Sequence, residues 1–457
     1  MPRKFGAMQF QLTKEFIENL RESLDDRSEE QVLNLIGELH AADVAEIVEE
    51  LEVEEAKVLY SYLSAEKASE VLINIDEDIR DKHIASFTSK EIAEIFIENL
   101  ESDDAADVIS VLPEREREEV ISNIENLEQA EDIVDLLSFD EGTAGALMGK
   151  ELVQVNENWS IKQCIREMRK QAETVDNIYT VYVVDDHEKL LGKLSLKKLL
   201  TAAAGKKIAD LYDVGLKSCQ TYTSSEEVAN MMEKYDLVAL PVLDELGRLV
   251  GRITIDDVVD VIKEEADKDY SMASGLSETV ESTDNIWVLT RARLPWLVLG
   301  LLGGVLGARV IGIYEHDLKI MPEMAFFIPL IAAMGGNVGV QSSAIIVQGL
   351  ANNSLGFGGI FQKLGKEFSV ALLNGFVCAL LILVYNLISS DSLILSYTVS
   401  ISLFSVIIFA ALFGTLVPLL LDKYKVDPAL ATGPFITTVN DILGLFIYFL
   451  VGRMFYV

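Results

Sequence analysis

The segment PALATGPFITTVNDILGLFIYF, residues 428–449, decides how the rest of the chain is read. It is long enough to cross a bilayer, which takes about 20 mostly apolar residues. It holds one ionisable group, Asp441. A carboxylate near the centre of a membrane helix costs roughly 2.5–3.5 kcal/mol on insertion scales. Such a residue faces the interior of a bundle or water, and is functional by default. No Lys or Arg of the other apolar segments is placed to pair with it at depth. Pro434 is expected to break the helix and free a carbonyl, and Gly433 to allow close backbone approach. Thr437, Thr438 and Asn440 add oxygens. Hard divalent cations take oxygen ligands, and irregular backbone is tolerated in a membrane where it lines a cavity. The pattern points to a cation-binding stretch.

Four further apolar stretches precede it: Leu294–Tyr314, Met324–Gln362, Phe368–Ser390 and Ser392–Leu421. The second is long enough for a helix plus a Gly-rich turn. It also contains Gly335, Gly336, Asn337, Gly339 and Gln341, read as a second helix break that lines or supports a pore. With five spans, Arg291, Arg293, Lys363, Lys366, Lys423 and Lys425 share one side, against Lys319 and Arg453 on the other. Basic loops favour the cytoplasm, so an N-in, C-out arrangement in the plasma or inner membrane is expected.

The charge is divided unevenly. Residues 1–285 carry 29 Lys+Arg against 65 Asp+Glu, and residues 286–457 carry 9 against 8. So acidic a first part repels nucleic acid, which needs Lys and Arg at its phosphates; it suits cations. The three cysteines have no metal-ligand spacing, so neither a zinc site nor a disulfide framework is expected. Residues 1–16 lack a long apolar run, and no cleaved signal peptide is expected. Four scattered histidines and no nucleophile–base pattern give no basis for an enzyme.

Residues about 10–135 read as helices, with apolar positions such as Val44, Ile47, Val48 and Leu51 at helical spacing. Related strings recur, including ADVAEIVEEL at 42–51 and EIAEIFIENL at 91–100. Stacked helix pairs forming a small superhelix follow. A sharper repeat aligns YVVDDHEKLLGKLSLKKLL from Tyr182 with PVLDELGRLVGRITIDDVV from Pro241, 59 residues apart. Each copy reads as strand, acidic turn, strand and helix, which resembles a tandem pair of α/β CBS modules. Many such modules bind adenine nucleotides such as ATP through a Ser/Thr and an Asp three residues on. The second copy keeps Thr254 and Asp257; the first has Ser195 and Lys198.

GGNVGVQ (335–341), DPALATGPFITTVNDILGL (427–445), the paired modules, the acidic helical N-domain and DEGTAGALM (140–148) together resemble the MgtE family of magnesium channels and transporters. The resemblance covers nearly the whole chain. It implies a multidomain membrane protein in this order: acidic superhelical N-domain 1–138, CBS modules 139–205 and 206–268, a connecting amphipathic helix 269–293, and a five-helix transmembrane domain 294–457. It implies a homodimer in a lipid bilayer with a Mg2+ pore at the dimer axis. Asp441 falls on the family's pore acid, with Thr437, Gly433, Pro434 and Asn337 around the path; the family often has Asn where Gly433 stands. The resemblance also implies Mg2+ bound among cytosolic carboxylates to hold the pore closed: Asp103, Asp107, Glu226, Asp236, Asp257, Asp260, Glu265 and Asp269, with Asp427 at the membrane face. The charge pattern agrees independently. Seven acids crowd residues 256–269 against Lys263 and Lys268, and surfaces so charged repel unless divalent ions bridge them. Two other readings stay open on the sequence: an ion-coupled divalent-cation carrier, and a membrane-anchored nucleotide sensor that moves no ion.

Overall fold

The structure is a computed structural model, and it describes residues 10–172, 175, 177–203, 205–280, 285–351, 359–390, 392–431 and 433–456. The chain forms two compact units, divided between Ile262 and Lys263.

The first unit begins with short helices whose apolar stripes close on one another. In Ala41–Glu49 the residues Val44, Ala45, Ile47 and Val48 are buried, as the spacing predicts. Caps delimit the helices: Thr13, Ser64 and Asn126 each accept from a backbone N–H of the first turn. The Lys67 ammonium joins successive helices by donating to the carbonyls of Ile36, Gly37 and Leu39 at 2.9–3.1 Å, where the helix Glu29–Ile36 ends. A cation there satisfies carbonyls that a helix end leaves without partners. The helix Ser102–Ser110 (α1) carries Asp103 and Asp104 in its first turn, where the macrodipole favours acids.

Two three-stranded sheets follow. Strands β1 (Val153–Asn156), β2 (Val181–Val184) and β3 (Leu190–Leu194) make one; β4 (Cys219–Gln220), β5 (Ala239–Leu243) and β6 (Leu249–Thr254) make the other. In each, the first pair is parallel and the second antiparallel. The two copies bond each other reciprocally: the Leu190 N–H donates to the Gly247 carbonyl, and the Leu249 N–H to the Glu188 carbonyl. Both donors and both acceptors are 59 residues apart, so the repeat found in the sequence is a pseudo-twofold axis in space. An isologous contact has this form.

The helix Ile255–Ala273 (α2) leads out of β6. Five later helices are long and apolar enough to cross a membrane: Ile286–Ile313 (α3), Ile328–Ala351 (α4), Ile360–Ser389 (α5), Leu393–Lys423 (α6) and Gly433–Tyr456 (α7). α6 packs on α4, α5 and α7, and α7 also packs on α3 and α4.

Three expectations are corrected here. The single connecting helix over 269–293 does not form: α2 ends at Ala273, and Ile286 already begins α3. Once the apolar run reaches the membrane helix, continuing its hydrogen-bond ladder costs less than a separate interfacial piece. The break expected at 335–341 is absent, since α4 runs unbroken through it. Pro434 does not break α7 either, because it sits in its first turn, where its missing N–H would have no partner anyway. The Gly-rich turn after the second span lies mostly outside the described residues.

Candidate cation sites

In the first unit, Glu101, Asp103 and Glu151 each offer a carboxylate oxygen, all within 4.8 Å of one another. They form the one group of three or more metal-ligating side chains among the described residues. Backbone geometry builds the group. Glu101 caps α1 and Asp103 lies in its first turn. Glu151 is held from two sides by Ser102, whose N–H and hydroxyl donate to its two oxygens at 2.9 Å each. The Ser102 hydroxyl also accepts the Lys150 N–H at 2.9 Å. Gly149 makes room: a Cβ there would stand 2.8 Å from Asp103 Oδ2.

Two more acids face this group. Burial first, then the charges of Asp257, Asp104, Glu151 and Glu101, push the Asp103 carboxyl well above the usual range. Burial and the same kind of repulsion, with Asp257 foremost, push Asp104 up to about 7. Asp257 is also raised by burial, against the pull of Thr254, whose N–H and hydroxyl donate to Oδ2 at 2.8 and 2.7 Å. One cation stands among them: Arg252 Nη2 lies 3.0 Å from both oxygens of Glu101, and its Nε donates to the Glu151 carbonyl. Arg252 is 4 % exposed, on β6. Five acids around one guanidinium leave an excess of negative charge. An octahedral ion binding oxygens at about 2.0–2.1 Å sets neighbouring ligands about 2.9 Å apart and opposite ones about 4.2 Å apart, so side-chain movements of about an ångström or two bring the three grouped carboxylates onto one ion.

The sequence therefore named two members, Asp103 and Asp257, which the fold brings into one electrostatic neighbourhood. It missed Glu101, Asp104, Glu151 and Arg252. The available signal was Arg252 itself, a charge inside the otherwise apolar strand LVGRIT, residues 249–254. Asp107, Glu226, Asp236 and Asp260 are exposed. Asp236 has φ +51° and ends the helix Ser225–Tyr235, its N–H donating to the Glu233 and Met232 carbonyls. Ser195 caps the helix Leu196–Thr201 without a side-chain bond, and Lys198 pairs with Asp213.

The second unit holds the pore candidates. Asp441 is half-buried on α7. Its Oδ1 stands 3.3 Å from where a Cβ of Gly336 would be, and Thr437 Cγ2 stands 3.0 Å from the same point. The glycines of α4 thus bring its backbone against α7 instead of breaking it, as small residues do at membrane-helix interfaces. Gly339 faces the Asn440 amide and Ile436. Gly414 on α6 lies against the Gly339 carbonyl. Asn440 is 1 % exposed, and neither of its amide atoms has a hydrogen-bond partner among the described residues. Asn337 and Gln341, four apart, are exposed on one face of α4, Asn337 about 100° round from Gly336. Thr438 packs its methyl on Gly303 of α3, and the Thr437 hydroxyl donates its proton to the Gly433 carbonyl at 3.0 Å, which leaves its oxygen able to accept.

Where α7 begins, Gly433 has φ +51°, and a Cβ there would stand 2.7 Å from the Ala273 carbonyl. Gly275 has φ +80°, and a Cβ there would stand 2.6 Å from Pro434 Cγ, too close to fit. The end of α2 is thus seated on the first turn of the helix that bears Asp441. Asp427, half-buried, accepts the Ala429 N–H at 2.8 Å and shapes the turn before α7. Glu265 and Asp269 are half-buried on α2, with Glu265 paired to Lys268 at 3.3 Å.

Comparison with known proteins gives a consistent picture. The family profile "Divalent cation transporter" matches residues 328–451, "MgtE intracellular N domain" matches 39–142, and "CBS domain" matches 144–205 and 209–264. "Magnesium transporter MgtE" of Bacillus subtilis is 32 % identical over 422 residues, 92 % of this chain and 93 % of the relative. That of Thermus thermophilus is 32 % identical over 440 residues, 95 % of this chain and 97 % of the relative. Among solved structures, the cytosolic domain of the Mg2+ channel MgtE in complex with ATP is 31 % identical, covers 54 % of this chain and 99 % of its own, and has a TM-score of 0.49.

Proposed function

Since this chain belongs to the MgtE family of magnesium transporters, we propose that it is a magnesium-selective channel closed by the ion it conducts. The observation that carries the conducting part is the placement of Asp441. It is a carboxylate on an apolar helix, beside a glycine face, with the Thr437 hydroxyl about one turn before it and the Gly433 carbonyl about two. Mg2+ sheds water reluctantly, so a carboxylate and nearby carbonyls would hold its hydration shell. A homodimer, with Asn337 and Asp441 of each copy facing a common path, would complete the pore.

The closing part rests on the five acids around Arg252. Without a cation their burial and mutual repulsion oppose the packing of α1 against β6 and the start of α2. Mg2+ among Glu101, Asp103 and Glu151, near Asp257, relieves that cost and favours the packed state. Asp107, Glu226, Asp236, Asp260, Glu265, Asp269 and Asp427 would add weaker sites. This is a population shift, which requires Mg2+ to bind the closed state better than the open one. The seat of Ala273 and Gly275 on Gly433 and Pro434 gives α2 a means of moving the first turn of α7. We place a cation at Asp257: Thr254 spends both its donors on that carboxylate, so an adenine nucleotide on the paired modules would be held by other groups. In this reading the amino terminus lies in the cytosol.

The test is Mg2+ uptake into proteoliposomes by the wild type and Asp441→Asn. The proposal expects uptake to fall at least about tenfold with the protein still folded, a factor that about 1.4 kcal/mol supplies. Wild-type uptake by the variant would end the pore assignment.

A further inference from the structure

Besides Asp441, the membrane helices carry two carboxylates: Asp422 in the last turn of α6, and Glu367 in α5. Glu367 is half-buried. The ion pairs of the second unit's described residues are Lys268–Glu265, Arg291–Glu278 and Lys319–Glu315, so Glu367 belongs to none. Its partner is a hydroxyl on another helix: Ser342 Oγ of α4 donates to Glu367 Oε1 at 2.7 Å. Ser342 is 4 % exposed.

That bond departs from what neighbouring serines do. Ser369, Ser389, Ser396, Ser400 and Ser405 each donate to the carbonyl four residues back in their own helix, at 2.7–3.0 Å. Such back-bonding is the default for a serine inside a helix. Ser342 spends its donor on α5 instead. α4 packs on α6 and α7, α5 packs on α6, and α4 and α5 share little direct packing among the described residues. The bond therefore ties two helices that otherwise meet through α6.

Position along α4 shows what the tie controls. Gly336 is the residue that faces Asp441. Ser342 is six residues on, which is about 9 Å along the axis and about 120° around it. Glu367 thus does not share the face of Asp441, and can act on it only through α4. We propose that Glu367 is a positioning residue. Its carboxylate holds Ser342, and with it the half of α4 that follows the glycines, so that the gap between α4 and α7 beside Asp441 is fixed. The inference rests on the reading of Asp441 as the point of ion passage.

The experiment measures the rate of Mg2+ uptake against Mg2+ concentration, in proteoliposomes of the full chain. It compares Glu367→Ala, Glu367→Gln, Ser342→Ala and the double Ala variant, with Asp441→Asn alongside. Glu367→Ala and Ser342→Ala should each lower the maximal rate by roughly tenfold, as expected for losing a charge-assisted bond. The double variant should be no worse than either, because both remove the same contact. Glu367→Gln keeps an acceptor for Ser342 and should recover to within about threefold of wild type. A Gln variant as poor as Ala would mean that the charge itself is required, and would overturn the positioning role. So would losses that multiply in the double variant, or wild-type rates throughout. If Glu367→Ala does not fold, Ser342→Ala and Glu367→Gln carry the same decision. Wild-type uptake by Asp441→Asn would instead sink the pore reading, independently of Glu367.

Discussion

Gly433 occupies the position where α2 and α7 meet, and its conformation sets what the site tolerates. The φ of +51° costs an L-residue about 1–2 kcal/mol, and the Ala273 carbonyl leaves no room for a side chain. Gly433→Ala should therefore lower the thermal midpoint of the detergent-solubilised protein by several degrees and change the Mg2+ concentration that closes it; an unchanged midpoint and closure would mean that the seat of α2 on α7 is not as described. Gly339 makes a second residue-scale case, since a Cβ there meets the Asn440 amide and Ile436. Overpacking of this kind costs about 1–3 kcal/mol, so Gly339→Ala should unfold earlier in a thermal scan. A wild-type midpoint would argue against that contact. Asp441 was legible in the sequence because a charge in an apolar run has one physical excuse. The role of Gly433 was not, because a positive φ and a neighbour 160 residues away in the chain leave no local signature. Pro434 was misread for a related reason. Its effect depends on where the helix starts, and composition does not say.

Among the elements, β6 and α1 carry the balance of charge. The strand LVGRIT buries Arg252, which then holds Glu101 while four other acids crowd nearby. Breaking a buried ion pair by removing one partner typically costs about 3–5 kcal/mol, because the other charge is left unpaired. Arg252→Met should lower the stability of the first unit by an amount of that order, and millimolar Mg2+ should restore part of it. Thermal unfolding with and without Mg2+ reads this directly. A variant as stable as wild type without Mg2+ would show that the pair does not offset the repulsion. The tandem repeat of strand, turn and strand was visible from the 59-residue spacing, because each copy must build the same small sheet. The cluster at its edge was not, because Glu101, Glu151 and Arg252 are 50 and 101 residues apart and only the fold joins them. Helix packing hid the meaning of GGNVGVQ in the same way. Glycines mark either a break or a close approach, and the partner helix decides between them.

At the scale of the whole molecule, the order of parts follows from composition: an acidic helical region, a pair of α/β modules and five apolar helices. If Mg2+ bridges the acidic part, limited proteolysis of the full chain should cut residues 1–280 several-fold more slowly in millimolar Mg2+ than in chelator, with K+ at matched ionic strength giving no protection. Equal cutting in both would separate the acidic surface from any closing role. The central claim is that one ion serves as both cargo and latch. The most direct measurement is ion flux through the reconstituted protein while Mg2+ is raised on the face bearing residues 1–262, for the wild type and for Asp103→Asn with Glu151→Gln. The account predicts that wild-type flux falls as Mg2+ rises on that face, and that the variant stays open to concentrations at least about tenfold higher. A wild-type flux indifferent to Mg2+ on that face, or a variant that closes at the same concentration, would contradict it.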